Sequence, residues 1–192
     1  MAVFKSTFTD KGNVDRLLAL VNSDFFLAIS KDTQWSNADG NNITEENPPT
    51  PQPELLNIEN IKVYKKPFFQ TLAVESQCGT VDFDSCGESL SAKKLTLINL
   101  ETTSREALDI IAPTYVYLRV EIEEDDLTLA DIESFRIAAL YKDMQFTSEG
   151  AIRYLPSQVE IKGILYWVSY FTPVFKNTIV NKSTIFEIII TA

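Results

Sequence analysis

The side chains of this sequence best placed to do chemistry are carboxylates. Glu121, Glu123, Glu124, Asp125 and Asp126 form one dense acidic run, and Asp82 and Asp84 form a second, looser pair. In an extended strand Glu121 and Glu123 share a face, an arrangement that could bind calcium or act as an acid–base pair. No glycine-loop spacing accompanies the run, which reads more simply as a solvated face leading into a polar turn. Around Asp82 and Asp84 the glycine and the distant bidentate glutamate of a calcium loop are out of register.

The remaining chemical inventory is thin. The chain has no histidine, which removes the commonest general base and any Ser–His or Cys–His nucleophile pair. Cys78 and Cys86, with seven residues between them, are too sparse for a zinc site. They read as free thiols, with a Cys78–Cys86 bridge as the alternative in an oxidising compartment. With only six glycines, the chain contains no phosphate-cradling loop, and it has no nucleophile elbow. The sequons at Asn42-Ile43-Thr44 and Asn181-Lys182-Ser183 carry little weight without a secretory signal. The expectation is a protein that is not an enzyme, with no catalytic residues, no metal and no cofactor.

Charge narrows the partners. Acidic residues outnumber basic ones, 27 to 17, for a net charge of −10. That balance argues against nucleic acid and anionic membranes and suits a chain kept soluble. No apolar run reaches the roughly 18 residues of a membrane helix. Residues Met1 to Asp10 show no secretory pattern, so synthesis and folding in a reducing cytoplasm are expected. With 192 residues, 45% of them hydrophobic, the chain can bury a core of its own.

The elements that must carry these residues are mostly strands. Phe25–Ser30 is a continuous apolar run, Ile61–Tyr64 alternates, and Phe68–Val74 and Leu95–Ile98 are further strand candidates. Thr114–Glu123 is the clearest strand, and the acidic triplet Glu124-Asp125-Asp126 ends it. Ile161–Phe171 and Thr184–Ile190 close the chain as strands, with Gly163 as a bulge or close-approach point. Val14–Val21, capped by Asn13, and Ser104–Ile111, capped by Ser104, are short helices. Ile132–Tyr141 is ambiguous, since Ser134–Tyr141 fits helix and strand templates each in part. Most of the aromatic residues sit at strand positions, where a core needs bulk more than a sugar platform does.

From Lys31 to Pro53 the chain turns polar and holds Asp39-Gly40, Asn41-Asn42, Asn47-Pro48-Pro49 and Pro51-Gln52-Pro53. Such clusters punctuate turns and favour extended, polyproline-like backbone. Trp35 stands alone there, either as an anchor pinning the loop to the body or as an exposed contact.

One combination is more specific. Phe25-Phe26-Leu27-Ala28-Ile29-Ser30-Lys31 is followed by Thr33-Gln34-Trp35 and then by Glu45-Glu46-Asn47-Pro48-Pro49-Thr50-Pro51. This resembles a segment of the baseplate wedge proteins of contractile-tailed bacteriophages, of the type that T-even phages encode as their eighth gene product. Near the C-terminus, Tyr154-Leu155-Pro156-Ser157-Gln158-Val159, Gly163-Ile164-Leu165-Tyr166-Trp167 and Pro173-Val174-Phe175-Lys176 are similar to the stretch entering the closing strands of that family. On that comparison Phe135–Tyr141 is strand.

The resemblance implies a virion structural protein, a tail baseplate wedge component that mediates protein–protein assembly. Its partners would be other tail and baseplate proteins, with a homodimer allowed, and neither nucleic acid nor membrane insertion is expected. It would reside in the virion tail baseplate, after assembly in the host cytoplasm. The expected fold is mainly β, an antiparallel β-sandwich body with one or two short helices and a long Pro/Asn-rich loop. A single domain over residues 1–192 is expected, with a loop excursion at 31–57 and a small lobe at 75–93. Trp35, Asn47, Pro48, Pro49 and Pro51 are the expected contact residues, unless the loop folds back on its own domain. A receptor- or glycan-binding tail module is the alternative, and a hydrolase using Glu121 and Glu123 a third reading.

Overall fold

Residues 134–141 have no solvated face, and that decides their ambiguous pattern. Ser134 through Tyr141 are all buried, so neither a period of two nor one of 3.6 is visible in the sequence. The run is a strand. The computed structural model describes residues 10–35, 48–75, 95–176 and 183–191. In chain order these form α1 (Asp10–Val21), β1 (Phe25–Ser30), β2 (Ile61–Lys65), β3 (Phe69–Glu75), β4 (Leu95–Ile98) and α2 (Arg105–Ile111). There follow β5 (Tyr115–Glu123), α3 (Glu124–Leu129), β6 (Ser134–Lys142), β7 (Gln145–Phe146), β8 (Arg153–Tyr154), β9 (Val159–Ile161), β10 (Ile164–Phe175) and β11 (Ser183–Thr191). The protein is mainly β, with antiparallel strand pairing, as expected.

Two expectations about helices need correction. Helix α1 begins at Asp10, so Asn13 lies inside it and is not its cap. Glycine and asparagine are tolerated in a first turn that is carried by tertiary packing, here of Val14, Leu17 and Val21. The triplet Glu124-Asp125-Asp126 does end β5, but it also opens α3, a third helix. Carboxylates suit a helix N-terminus, where backbone N–H groups point outward unpaired. Ser104 caps α2 as read, its hydroxyl accepting from the Ala107 N–H at 3.2 Å.

The chain gathers into two compact units. One takes Met1–Ser23, Phe69–Arg119 and Glu187–Ala192, and the other takes Asp24–Phe68 and Val120–Phe186. Strands β5 and β11 each run from one unit into the other. The first unit is built on β3, which pairs with β4 (Ala73↔Leu97) and with β5 (Leu72↔Val116). Ala73, Leu95, Tyr115 and Tyr117 form its core cluster, with Phe69, Leu97 and Ile189 against it. Helix α1 packs on β3 and α2. The Gln70 amide donates to the carbonyls of Val21 and Ser23, satisfying groups the end of α1 leaves open. The lobe expected at 75–93, with Cys78, Cys86, Asp82 and Asp84, lies outside the described residues, apart from Glu75 at the end of β3.

The second unit holds a five-stranded sheet in the order β10-β6-β1-β2-β8. Strand β6 sits between β1 and β10, with Leu27↔Leu140, Ala28↔Ala139 and Val168↔Ala139 in register. The paired alanines leave room for large rings beside them. Phe26, Trp35, Ile58, Tyr64, Ile137, Tyr141, Met144 and Tyr154 fill that space as one buried cluster. Gly163 opens β10 with φ +70°, and a Cβ there would clash with the Lys142 carbonyl and stand 3.0 Å from the Met144 nitrogen. It is a close-approach point, as expected.

An ion cluster fastens the far side of this sheet. Lys65 on β2 stands opposite Arg153 on β8, two like charges across a strand pair. Asp126, fully buried on α3, answers both. Its carboxylate accepts from Lys65 Nζ at 2.8 and 3.0 Å, from Arg153 at 3.2 Å and from the Glu123 N–H at 2.8 Å. Glu123 also receives Lys65 Nζ at 2.8 Å. The acidic run is therefore partly architectural, which one-dimensional spacing could not show.

Removing one partner of a buried pair strands the other without water. Asp126→Ala should lower unfolding stability by about 3–5 kcal/mol in urea titration. Asp32→Asn, at a surface pair with Lys62 at 2.9 Å, should cost no more than about 1 kcal/mol. Equal costs for the two would refute the buried ion cluster as a fastening. Gly163→Ala should destabilise by about 2 kcal/mol or more, because an L-residue is strained at positive φ even before the clash.

Candidate interaction surface

The excursion at 31–57 leaves the body after β1 and returns to β2, so its two roots belong to the same unit. Lys31, with φ 59°, turns the chain away from the strand. Four residues later Trp35 is inserted into the core cluster with only 4% of its surface exposed. Its ring lies 5.1 Å from that of Tyr170 on β10, and its indole N–H donates to the Phe171 carbonyl at 3.4 Å. Lys31 Nζ stands over the ring, 5.0 Å from its centroid. The Asp32 carbonyl accepts from Arg136 at 3.2 Å. The hydrogen bond from Lys62 holds the Asp32 carboxyl below the usual carboxylate range.

The returning root is pinned by β6. The Tyr141 hydroxyl donates to Asn57 Oδ1 at 2.8 Å and accepts from the Ile58 N–H at 3.1 Å. Ser30 Oγ donates to the carbonyls of Glu59 and Asn60, at 2.6 and 2.9 Å. Lys162 Nζ reaches the Ile58 carbonyl at 3.3 Å, and burial pulls its pKa down.

Between the roots, Pro48 and Pro51 are half-buried while Pro49, Thr50, Gln52 and Pro53 are exposed. The Leu55 N–H closes a turn on the Gln52 carbonyl at 3.1 Å, and Leu56 projects with 88% of its surface exposed. Asn47 lies outside the described residues. Of the expected contact residues, Trp35 is thus an internal anchor at one root, and Pro48, Pro49 and Pro51 lie along the returning segment. Leu56 was missed in the sequence because a lone leucine before a strand carries no periodic signal.

Strand β10 is the second surface feature. It ends the five-stranded sheet, carries no charged residue over twelve positions, and has no fully buried side chain. Ile164, Tyr166 and Phe175 are each more than 40% exposed. Pro173 lies in this strand, where an edge tolerates its missing N–H. Tyr64, Tyr141, Tyr154, Trp35 and Phe26 are buried in the core, whereas Phe68, outside this strand, is 58% exposed. Glu123 is committed to Lys65, so Glu121 and Glu123 do not stand as an isolated carboxylate pair. Among the described residues, no group of three or more Cys, Asp or Glu side chains is arranged to hold a metal. None of the described helices is long and apolar enough to cross a membrane.

A family model described as baseplate wedge 3 tail fiber network component matches residues 5–192. The chain belongs to that family. It is a phage baseplate wedge protein, a structural component of the virion tail that interacts with other baseplate and tail proteins. No curated protein matches the sequence individually. The match spans both compact units as well as the 31–57 excursion, so the family covers far more than the segments that first resembled wedge proteins.

Burial raises the pKa of Tyr64, Tyr141 and Tyr170 above the ordinary tyrosine value of 10.0. Above that pH the unfolded chain has released protons that the folded chain retains, so stability falls as pH rises. The unfolding midpoint should therefore drop from about pH 10 upward, and Tyr141→Phe should weaken that dependence. At neutral pH the same variant should cost about 1 kcal/mol through the lost Asn57 and Ile58 bonds. A flat alkaline profile would contradict the burial of these hydroxyls.

Proposed function

We propose that the chain is a passive connector within the wedge, joining neighbouring proteins through the 31–57 excursion and performing no chemical step. The observation that carries this is the pinning of both roots of that excursion by core residues, Trp35 at one end and Tyr141 at the other. A loop held at both ends presents Pro48, Pro49 and Pro51 at a fixed place on the body. Proline-rich backbone loses less entropy on docking than ordinary chain, so such a segment suits a contact that must order itself against a neighbour.

The family supports the structural role, and the absence of histidine from the sequence agrees with a part that does no catalysis. The net charge of −10 supports protein rather than nucleic acid as the partner, and helps the chain remain soluble in the host cytoplasm before assembly. A homodimer is compatible with this reading as one form of the connector. Burial of the aromatic rings weighs against a glycan-binding role.

Deletion of residues 41–51 tests the proposal, because both pinning sites lie outside the cut. The variant should keep its circular dichroism spectrum and melting temperature within a few degrees, yet no longer co-purify with baseplate proteins from its own genome. Co-purification at the wild-type stoichiometry would refute the loop as the connecting element. Mass measurement of the wild-type protein alone would show one chain or two.

A further inference from the structure

Beside β7 and β8 the second unit opens a cleft of about 620 Å3, built from side chains the assembly reading does not use. Its inner wall is the half-buried ring of Phe146, backed by the buried rings of Phe26 and Tyr154. Phe146 and Tyr154 stack at 3.8 Å with their planes 11° apart, and Phe26 meets both edge-on, at 4.7 and 5.8 Å. The turn at 147–152 forms the outer lip. The Ala151 N–H donates to the Tyr154 hydroxyl at 3.0 Å, and the Ile152 carbonyl accepts from the Lys66 N–H at 2.8 Å. Gly150, at φ +85°, lets the lip turn sharply.

The rim is acidic. Asp24, Glu149 and Glu160 line the cleft against one ammonium, that of Lys66. Lys66 already shows what the site accepts: its Nζ is 5.9 Å from the Phe26 centroid and 3.0 Å from Asp24. That is a cation held between a ring and a carboxylate. Glu149 and Glu160 have no such partner among the described residues. The protein's large negative charge adds a long-range pull on cations.

We propose that this cleft receives a lysine or arginine side chain carried on an exposed segment of a neighbouring baseplate protein. The aliphatic stem would lie against Phe146, Met144 and Ile152 while the charged head meets Glu149 and Glu160. A desolvated cation over an aromatic wall gains more than one in open water, and the carboxylates fix its position. An acidic side chain would meet Asp24, Glu149 and Glu160 against the single ammonium of Lys66, which Asp24 already occupies. The proposal goes beyond the 31–57 connector and rests on that reading only for the neighbour being a baseplate protein.

The test uses the full chain and two capped tripeptides, Gly-Arg-Gly and Gly-Gln-Gly, followed by backbone amide NMR at low salt. The arginine peptide should shift resonances of residues 144–154 and 160, and the glutamine peptide should not. The double variant Glu149→Gln with Glu160→Gln should weaken the arginine peptide by about tenfold. Phe146→Leu, which keeps the packing apolar, should weaken it without altering the fold. Shifts scattered over surface carboxylates, or reproduced by magnesium chloride alone, would overturn the proposal, as would undiminished binding by the double variant. Failure of the wild-type protein to capture any neighbour is read separately: it refutes the connector and leaves the peptide shifts to decide the cleft.

Discussion

Strand β6 has nowhere to send its side chains but into protein, and the larger sheet is organised around that constraint. Ser134 through Tyr141 are buried on both faces, and β1 and β10 take up the two edges. An element buried on four sides leaves its neighbours little freedom of register. Alanines at 28, 138 and 139 leave the sheet faces open there, and aromatic rings fill the adjoining space. Tyr141, the last buried residue of β6, then reaches out to hold the returning root of the loop. The placement of the candidate contact segment thus follows from the packing of a strand buried from Ser134 to Tyr141.

The acidic residues divide into two populations with different work. Asp126 is consumed by folding: it neutralises Lys65 and Arg153, whose positions across a strand pair would otherwise repel. The surrounding carboxylates remain at the surface, where they are individually worth little to stability and act together as a field. In the proposed assembly role, that surplus would favour solubility before partners are met. Cation-binding features then become the natural recognition chemistry of its surface, and the aromatic wall with its acidic rim is one place where charge and shape coincide.

The proposed connector role would need rigidity where the chain is held and adaptability where it makes contact. The 31–57 excursion offers both, with buried anchors at residues 35 and 58 and a returning side on which Pro49 and Pro53 are exposed and Pro48 and Pro51 half-buried. The anchors cost no separate core, since Trp35 and Ile58 belong to the same cluster that packs the sheet. Membership of the baseplate wedge family places this economy in a structural component of the phage baseplate.

Much of this was legible in one dimension. Continuous apolar runs and alternation marked β1, β2, β3, β5, β10 and β11, because strands with a buried face write a local pattern. Ser104 marked its helix because a cap acts over three residues. The polar, proline-rich excursion and the lone Trp35 marked the candidate contact segment, since composition changes sharply there. Other features depend on residues far apart in sequence, and local pattern is silent about them. Nothing near Asp126 announces Lys65, sixty-one positions earlier, and nothing near Trp35 announces Tyr170. The nature of β6 was undecidable locally because burial on every side erases periodicity. The sequence by itself determined the β class, the charge and the location of the loop; only the tertiary structure decided which acid is buried, which aromatic is an anchor and where the loop is tied, because those depend on contacts that exist only once distant strands have met.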